Sequence, residues 1–301
     1  MLYGPGWICP GLFCFFALFC ANAVERFSWS SMLDHMRNII EVTGLTKLFG
    51  NLVAVNNLSL EVLEGESFGL LGPNGAGKTT TIKMLTTLLL PTSGSAKIGG
   101  YDVVKNAYEV RKIIGYVPQL ISTDPMLTGL ENLTVFAKLY DVPARTRKSQ
   151  INEAFEFMGL MDAKNKLVKN YSGGMVRRLE IAQSLLHKPK VLFLDEPTVG
   201  LDPVARKMMW EHIAKLKTEF GTTIFLTTHY MEEADRLCDR VAIMDRGKMS
   251  ATGTPDSLKD SLGIEGATLD DVFVRYTGNA LDEGAGFKDT RRTRRVAKRL
   301  G

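Results

Sequence analysis

Phe68-Gly69-Leu70-Leu71-Gly72-Pro73-Asn74-Gly75-Ala76-Gly77-Lys78-Thr79 decides how the rest of this chain reads. Phe68–Leu71 is a short apolar run of the kind that forms a buried strand, and the residues from Lys78 to Leu88 read as a helix. The loop between them fits G-x-x-x-x-G-K-[ST] in the strand–loop–helix context that defines a P-loop. Its glycines let successive backbone N–H groups turn inward around phosphate oxygens, at the positive end of a helix dipole. Gly72, Pro73, Asn74, Gly75, Ala76, Gly77, Lys78, Thr79 and Thr80 are therefore candidate nucleotide-binding residues. Lys78 suits the β- and γ-phosphates, and the Thr79 hydroxyl suits Mg²⁺. A chance glycine-rich turn is the plain alternative, and the strand, the Lys-Thr pair and the helix together argue against it.

A second informative stretch is Val191-Leu192-Phe193-Leu194-Asp195-Glu196-Pro197. The continuous apolar run predicts a strand buried on both faces, delivering two acids to its carboxyl end, where open α/β sheets bind ligands. Beside a P-loop, Asp195 is placed for the Mg²⁺ shell, and Glu196 to orient and deprotonate a water. The third stretch, Tyr171-Ser172-Gly173-Gly174-Met175, opens a helix carrying Arg177, Arg178 and Glu180. By itself it reads as a helix cap with a flexible turn. As an anion-binding helix end it would be a second phosphate site in one small domain.

Around these motifs, strand-like segments (Ile39–Val42, Ala54–Val62, Ile113–Val117, Thr222–Thr227, Val241–Met244) flank a helix-only stretch from about 128 to 187. Helices are expected at Leu130–Tyr140, Lys148–Met158, Gly174–His187, Pro203–Lys217 and Met231–Cys238. The expectation is an α/β fold: a P-loop NTPase core, a mixed or parallel sheet with flanking helices, carrying an inserted α-helical subdomain at about 120–187. Gly247–Gly266 is turn-rich and is expected to end the core, with 267–279 as a short packed extension after it. The catalytic domain is thus read as 38–250, followed by a C-terminal extension, 251–301.

Composition narrows the class. Of 301 residues, 45% are hydrophobic and 23% charged, which excludes a disordered, collagenous or coiled-coil chain. The net charge of +4 is local: Lys288–Gly301 holds seven basic residues against Asp289, which leaves the other 287 residues at −2. The body therefore lacks the basic footprint of a nucleic-acid-binding domain, and no nucleic acid partner is expected. Three of four cysteines (Cys9, Cys14, Cys20) precede the body, which keeps only Cys238 and so has no disulfide framework. The four histidines show no metal-ligand spacing.

Residues 1–24 carry no charge, and Trp7–Val24 is almost wholly apolar. Three readings are open. A signal peptide would end near Ala21-Asn22-Ala23 but lacks a basic start; a membrane anchor would be short and interrupted by Pro10 and Gly11. The third is sequence upstream of a start at Met32 or Met36. Residues 1–37 are expected to lie outside the fold.

Taken in order, a P-loop, Ser-Gly-Gly about 95 residues later and a strand ending Asp-Glu about 20 residues beyond resemble the ATP-binding cassette (ABC) ATPase family, over residues 38 to 250 or so. The resemblance implies further roles. Phe49 matches the aromatic that stacks on adenine, Gln119 the glutamine that contacts Mg²⁺ and water, and His229 the histidine that contacts the γ-phosphate. Ser172, Gly173 and Gly174 match the signature that caps a nucleotide held by another chain, and Asp202, in Gly200-Leu201-Asp202, the loop that crosses the dimer interface. Ser-Gly-Gly-Met, the run Thr228-His229-Tyr230-Met231-Glu232-Glu233-Ala234, and Leu269-Asp270-Asp271-Val272-Phe273 resemble the daunorubicin-resistance type of exporter ATPase. Tyr171 and Met175 depart from the commoner Leu and Gln.

By that resemblance the chain is an ATP-hydrolysing subunit with ATP and Mg²⁺ as cofactors. It would work as a homodimer, or paired with a second ABC ATPase chain, on a separate permease at the cytoplasmic face of the cell membrane. Its cargo would be a drug, a lipid or a similar amphipathic molecule. The alternative is a non-transport ABC ATPase acting on nucleic acid or ribosomes. Against it stand the single cassette and the lack of room for a long coiled coil between P-loop and signature.

Overall fold

The computed structural model describes residues 37–278. The apolar N-terminal stretch and the basic tail, about which the sequence raised expectations, lie outside the described residues. What is described is built on two sheets. The larger has six strands in the order β10-β9-β3-β8-β7-β6, with β3 at Ser67–Leu71, β6 at Ile114–Val117, β7 at Val191–Asp195, β8 at Thr223–Thr228, β9 at Arg240–Asp245 and β10 at Lys248–Gly253. Every neighbouring pair in it is parallel except β10 with β9. The smaller sheet is antiparallel, in the order β2-β1-β4-β5. Its strands are β1 (Asn38–Phe49), β2 (Leu52–Leu63), β4 (Ser93–Ile98) and β5 (Tyr101–Asp102).

Side-chain alternation sorts one strand between two cores. Along β7, Phe193 packs with Phe68, Phe225 and the small sheet, while Leu192 and Leu194 face a helical layer. All five residues of β7 are buried, as a parallel strand covered on both faces requires. The helical layer holds α3 (Gly129–Leu139), α4 (Ala144–Phe157) and α5 (Gly173–Leu185), inserted between β6 and β7. Around the sheet run α1 (Lys78–Leu85), α2 (Ala107–Ile113), α6 (Pro203–Phe220), α7 (Met231–Leu237), α8 (Pro255–Asp260) and α9 (Leu269–Thr277).

Three expectations need correction. First, α1 stops at Leu85, not Leu88: the Thr86 hydroxyl donates back to Ile82 O and Thr87 turns left-handed, so the chain leaves the helix. Second, Ser93–Ile98, rich in Ser and Gly, is a strand, and so is Lys248–Gly253. Third, the turn-rich stretch after Gly247 does not close the core. The boundary expected at 250/251 falls inside β10, and beyond it Leu258 is buried against the strands. Leu269, Val272 and Phe273 pack there too, in the stretch 267–279 expected to be a packed extension. Thr254 and Thr268 cap α8 and α9, which fixes where each begins.

Candidate active site

Strand order places the chemistry. In the run β3-β8-β7-β6, four parallel strands end on one edge of the sheet, and the segments leaving them carry the P-loop, His229, the Asp195-Glu196 pair and Gln119 in turn. At the P-loop the backbone passes so close to its neighbours that side chains are excluded. A Cβ on Gly72 would sit 2.4 Å from Met244 O, and one on Gly77, at φ 106°, 2.5 Å from Ala54 O. Gly77 also starts α1 without any side-chain cap, and no acid stands in the first turn. The positive helix end is thus left for an anion.

Lys78 is buried. Its ammonium donates to Gly72 O at 2.7 Å and Pro73 O at 3.2 Å, and lies 3.3 Å from Glu196 Oε1. Burial lowers its pKa, and the carboxylates of Glu196 and Asp195 pull the other way. Asp195 has no exposed surface, and one of its oxygens is fully used. Oδ1 accepts from Thr227 Oγ1 at 2.6 Å and Thr79 Oγ1 at 3.2 Å. Oδ2 is buried and accepts no hydrogen bond. Burial pushes the Asp195 carboxyl up, partly offset by the two hydroxyls. A buried carboxylate oxygen without a partner, beside a threonine hydroxyl, is a donor set that fits Mg²⁺ completed by phosphate and water.

Glu196 sits at φ 51°, a left-handed conformation uncommon for residues other than glycine. Its N–H is fixed by Thr227, whose carbonyl and hydroxyl both lie 3.1 Å away. Gln119 Nε2 donates to its Oε2 at 3.1 Å, and His229 Nδ1 stands 3.3 Å from Oε1. Burial pushes the Glu196 carboxyl up, but His229 and the Lys78 ammonium outweigh it, and the pKa falls below its ordinary value. Glu196 is therefore a carboxylate at neutral pH, able to take a proton.

Lys78, Gln119 and Glu196 border a cleft of about 550 Å³. Asn74–Thr80 form one wall, Gln119 and Glu196 another, and Phe49 with Leu52–Ala54 a third. Phe49 is 47% exposed at the tip of the β1–β2 hairpin, with Lys47 Nζ 5.1 Å over its ring. The structure thus gathers Phe49, the P-loop, Gln119, Asp195, Glu196 and His229 at one place. It sets Ser172, Gly173, Gly174 and Asp202 apart from them. Ser172 Oγ caps α5 by accepting from Met175 N at 3.3 Å; Asp202 caps α6 by accepting from Val204 N and Ala205 N. The two caps are neighbours, since a Cβ on Gly174 would meet the Ala205 methyl at 3.0 Å. None of the four lines the cleft.

Sequence reading missed Thr227, which holds both acids. Its signal was present: a hydroxyl inside a wholly buried strand needs a polar partner. It also missed Arg246, which borders the cleft and carries no recognisable pattern. A second cavity of about 470 Å³, between Phe157, Pro189 and Phe220, contains none of the expected residues.

A phosphate cradle on a helix end, a buried lysine, and paired acids on the adjoining edge of a parallel sheet together define a P-loop ATPase. The comparisons narrow the class. A family model described as ABC transporter matches residues 55–199. Daunorubicin resistance ATP-binding protein DrrA3 of Streptomyces coeruleorubidus is 46% identical over 239 residues, covering 79% of this chain and 74% of the relative. Among solved structures, cbiO1 from Clostridium perfringens, part of the ABC transporter complex cbiONQ, superposes with a TM-score of 0.68 at 27% identity, covering 73% and 90%. The ATP-binding cassette MJ0796, solved as a dimer in a post-hydrolysis state with ADP and Pi, gives 0.64 at 27% identity, covering 71% and 98%. The chain belongs to the ABC transporter family, as an ATP-binding, ATP-hydrolysing subunit.

Proposed function

We propose that this chain hydrolyses Mg-ATP at a site completed by a second copy of itself, or by a second ABC ATPase chain. The cycle drives a separate membrane permease that exports a drug-like or lipid-like amphipathic cargo. The observation that carries this reading is the separation of the two phosphate-ready helix ends: Gly77–Thr80 border the cleft, whereas Ser172 and Gly173 lie exposed, and Gly174 half-buried, outside it. Two copies set head to tail would bring one chain's Ser172–Gly174, with Asp202 beside them, over the nucleotide in the other's cleft. The dimeric state of MJ0796 supports that arrangement.

Within each site, Phe49 stacks on the adenine, and the N–H groups of the P-loop with Lys78 hold the β- and γ-phosphates. Lys78 exchanges its contact with Glu196 for phosphate oxygen, which frees that carboxylate for the water. Thr79, Asp195 and Gln119 would hold Mg²⁺, which when bound offsets the charge on the phosphate oxygens. Glu196 orients the attacking water and takes its proton. Gln119 and His229 hold the two oxygens of Glu196 in place, and His229 also reaches the γ-phosphate.

Residues 38 to about 277 act as the ATPase unit, with the helices between β6 and β7 as its inserted part. No helix among the described residues is long and apolar enough to cross a membrane. Membrane attachment is assigned to the permease, at the cytoplasmic face where Mg-ATP is plentiful; the membership of cbiO1 in a transporter complex supports this.

Purifying the tagged full chain from the membranes of its own host tests the proposal. The expected companion is an integral membrane chain in stoichiometric amount, whose presence in vesicles raises the ATPase rate. Ribosomes or DNA in its place would contradict it.

A further inference from the structure

The guanidinium of Arg177, on the second turn of α5, is 6% exposed and each of its five N–H donors meets an oxygen. Nε donates to Pro197 O at 3.0 Å. Nη1 donates to Pro118 O at 2.6 Å and to Glu180 Oε2 at 3.0 Å. Nη2 donates to Gln119 O at 3.2 Å and to Glu196 O at 3.5 Å. Four of the five acceptors are backbone carbonyls of two segments, 118–119 and 196–197, that carry the groups on either side of the reacting water. Glu180, one turn further along α5 and 2% exposed, completes the joint. Its Oε1 accepts from both Ser122 N and Ser122 Oγ, which pins the segment just after Gln119.

A fully buried arginine is costly to desolvate, and for stability alone an apolar filler would serve as well. What the planar fork supplies is geometry. It fixes four carbonyls relative to one another and to the helix whose first residues are Gly173 and Gly174.

We infer that Arg177 and Glu180 are positioning residues that make the phosphate-capping end of α5, the Gln119 segment and the Glu196 segment into one moving part. The inference rests on the two-chain site proposed above. When the end of α5 seats on a nucleotide held by the other chain, this joint carries the displacement to Gln119 and Glu196 in its own chain. A nucleotide captured at one site thereby sets the catalytic carboxylate of the other. The coupling is mechanical, carried by the fixed geometry of the guanidinium and its five acceptors.

The test uses the full chain with Arg177→Met, Arg177→Lys and Glu180→Gln. Lysine keeps the charge but cannot span four carbonyls, so it guards against loss of fold from an unpaired Glu180. With Arg177→Lys, kcat is expected to fall about ten- to hundredfold, because small misplacements of a catalytic group cost that much. ATP affinity of the cleft and KM stay as in the unaltered chain. Amide exchange quickens at 118–122, and bound ATP no longer slows it there. Glu180→Gln gives a smaller fall of the same kind.

A normal kcat in both Arg177 variants would overturn the joint. So would equal losses of affinity and kcat with exchange raised throughout the sheet, which would mean a merely structural role. Mixing Lys78→Ala with Ser172→Arg chains separates the two claims. The α5 that would set Glu196 of the intact site carries Ser172→Arg, so that site should work at the reduced rate of the Arg177→Lys chain. A rate per intact site equal to that of the unaltered chain removes the joint alone; heterodimers that form and show no activity remove the shared site and the joint's purpose with it.

Discussion

Two helix ends in this molecule are built alike and finished differently. At Gly77, α1 begins in a dense setting: a lysine with two carbonyl acceptors, a carboxylate 3.3 Å away, and a second acid whose one oxygen carries two hydroxyls. At Gly173, α5 begins with a serine cap, and both Ser172 and Gly173 are exposed. The first end has the exposed Phe49 ring, the unpartnered Asp195 oxygen and the Glu196 carboxylate within one chain. The second has none of these near it. An anion-binding helix end without its own catalytic groups is half of something, and a second chain is the economical completion.

The largest blow to the finished end is Glu196→Gln. Removing the proton acceptor while keeping shape should lower kcat by about 10²–10⁴-fold, with ATP still bound at normal affinity. Trapped in that state, the variant should elute as a dimer in ATP, which gel filtration reads. If it hydrolyses at a near-normal rate, another group takes the proton.

Phe49→Ala makes a milder cut at the same end. Losing one ring face costs about 1 kcal/mol, roughly fivefold in ATP affinity, with kcat unchanged. Isothermal titration with ATP would show it. An unchanged affinity would place the adenine elsewhere in the cleft.

The smallest effect belongs to the helical layer that carries the unfinished end. His187, just past α5, bonds Ile114 O at 2.7 Å and stacks on Tyr140 at 4.0 Å, so it ties that layer to the sheet. Burial lowers its pKa from the ordinary 6.5, outweighing the contact with Ile114 O. The folded chain thus binds fewer protons than the unfolded chain in the window just below pH 6.5. Stability from this residue is full above that pH and is lost as the pH falls through the lowered value. Melting temperatures should drop on acidification across that window, and His187→Gln should flatten the slope. An unchanged slope would mean that other groups set it.

How much of this could be read in advance follows physical lines. The P-loop and Val191–Glu196 were legible because each is a continuous run whose local pattern and chemistry coincide. The helical layer was legible from the absence of strand-like runs between 128 and 187. Ser93–Ile98 was not, because it lies at the sheet surface with only Ala96 and Ile98 buried, so it has no apolar run to announce it. Lys248–Gly253 is likewise half exposed along its length. The separation of Ser172–Gly174 from the cleft is a fact of topology, set by where α5 leaves the sheet. Arg177 was seen only as a charge on a helix, because its acceptors are backbone carbonyls, which any sequence supplies.

The most direct test of a site shared between chains is complementation. Lys78→Ala disables the finished end, Ser172→Arg blocks the unfinished one, and each homodimer should be inactive. In a heterodimer of the two, both defects fall in one site, and the other site is wholly unaltered. ATP hydrolysis should therefore return on mixing, above either parent and in proportion to the heterodimer formed, at the reduced rate of a site whose partner site captures no nucleotide. Heterodimers that form and stay as inactive as either parent would contradict the account.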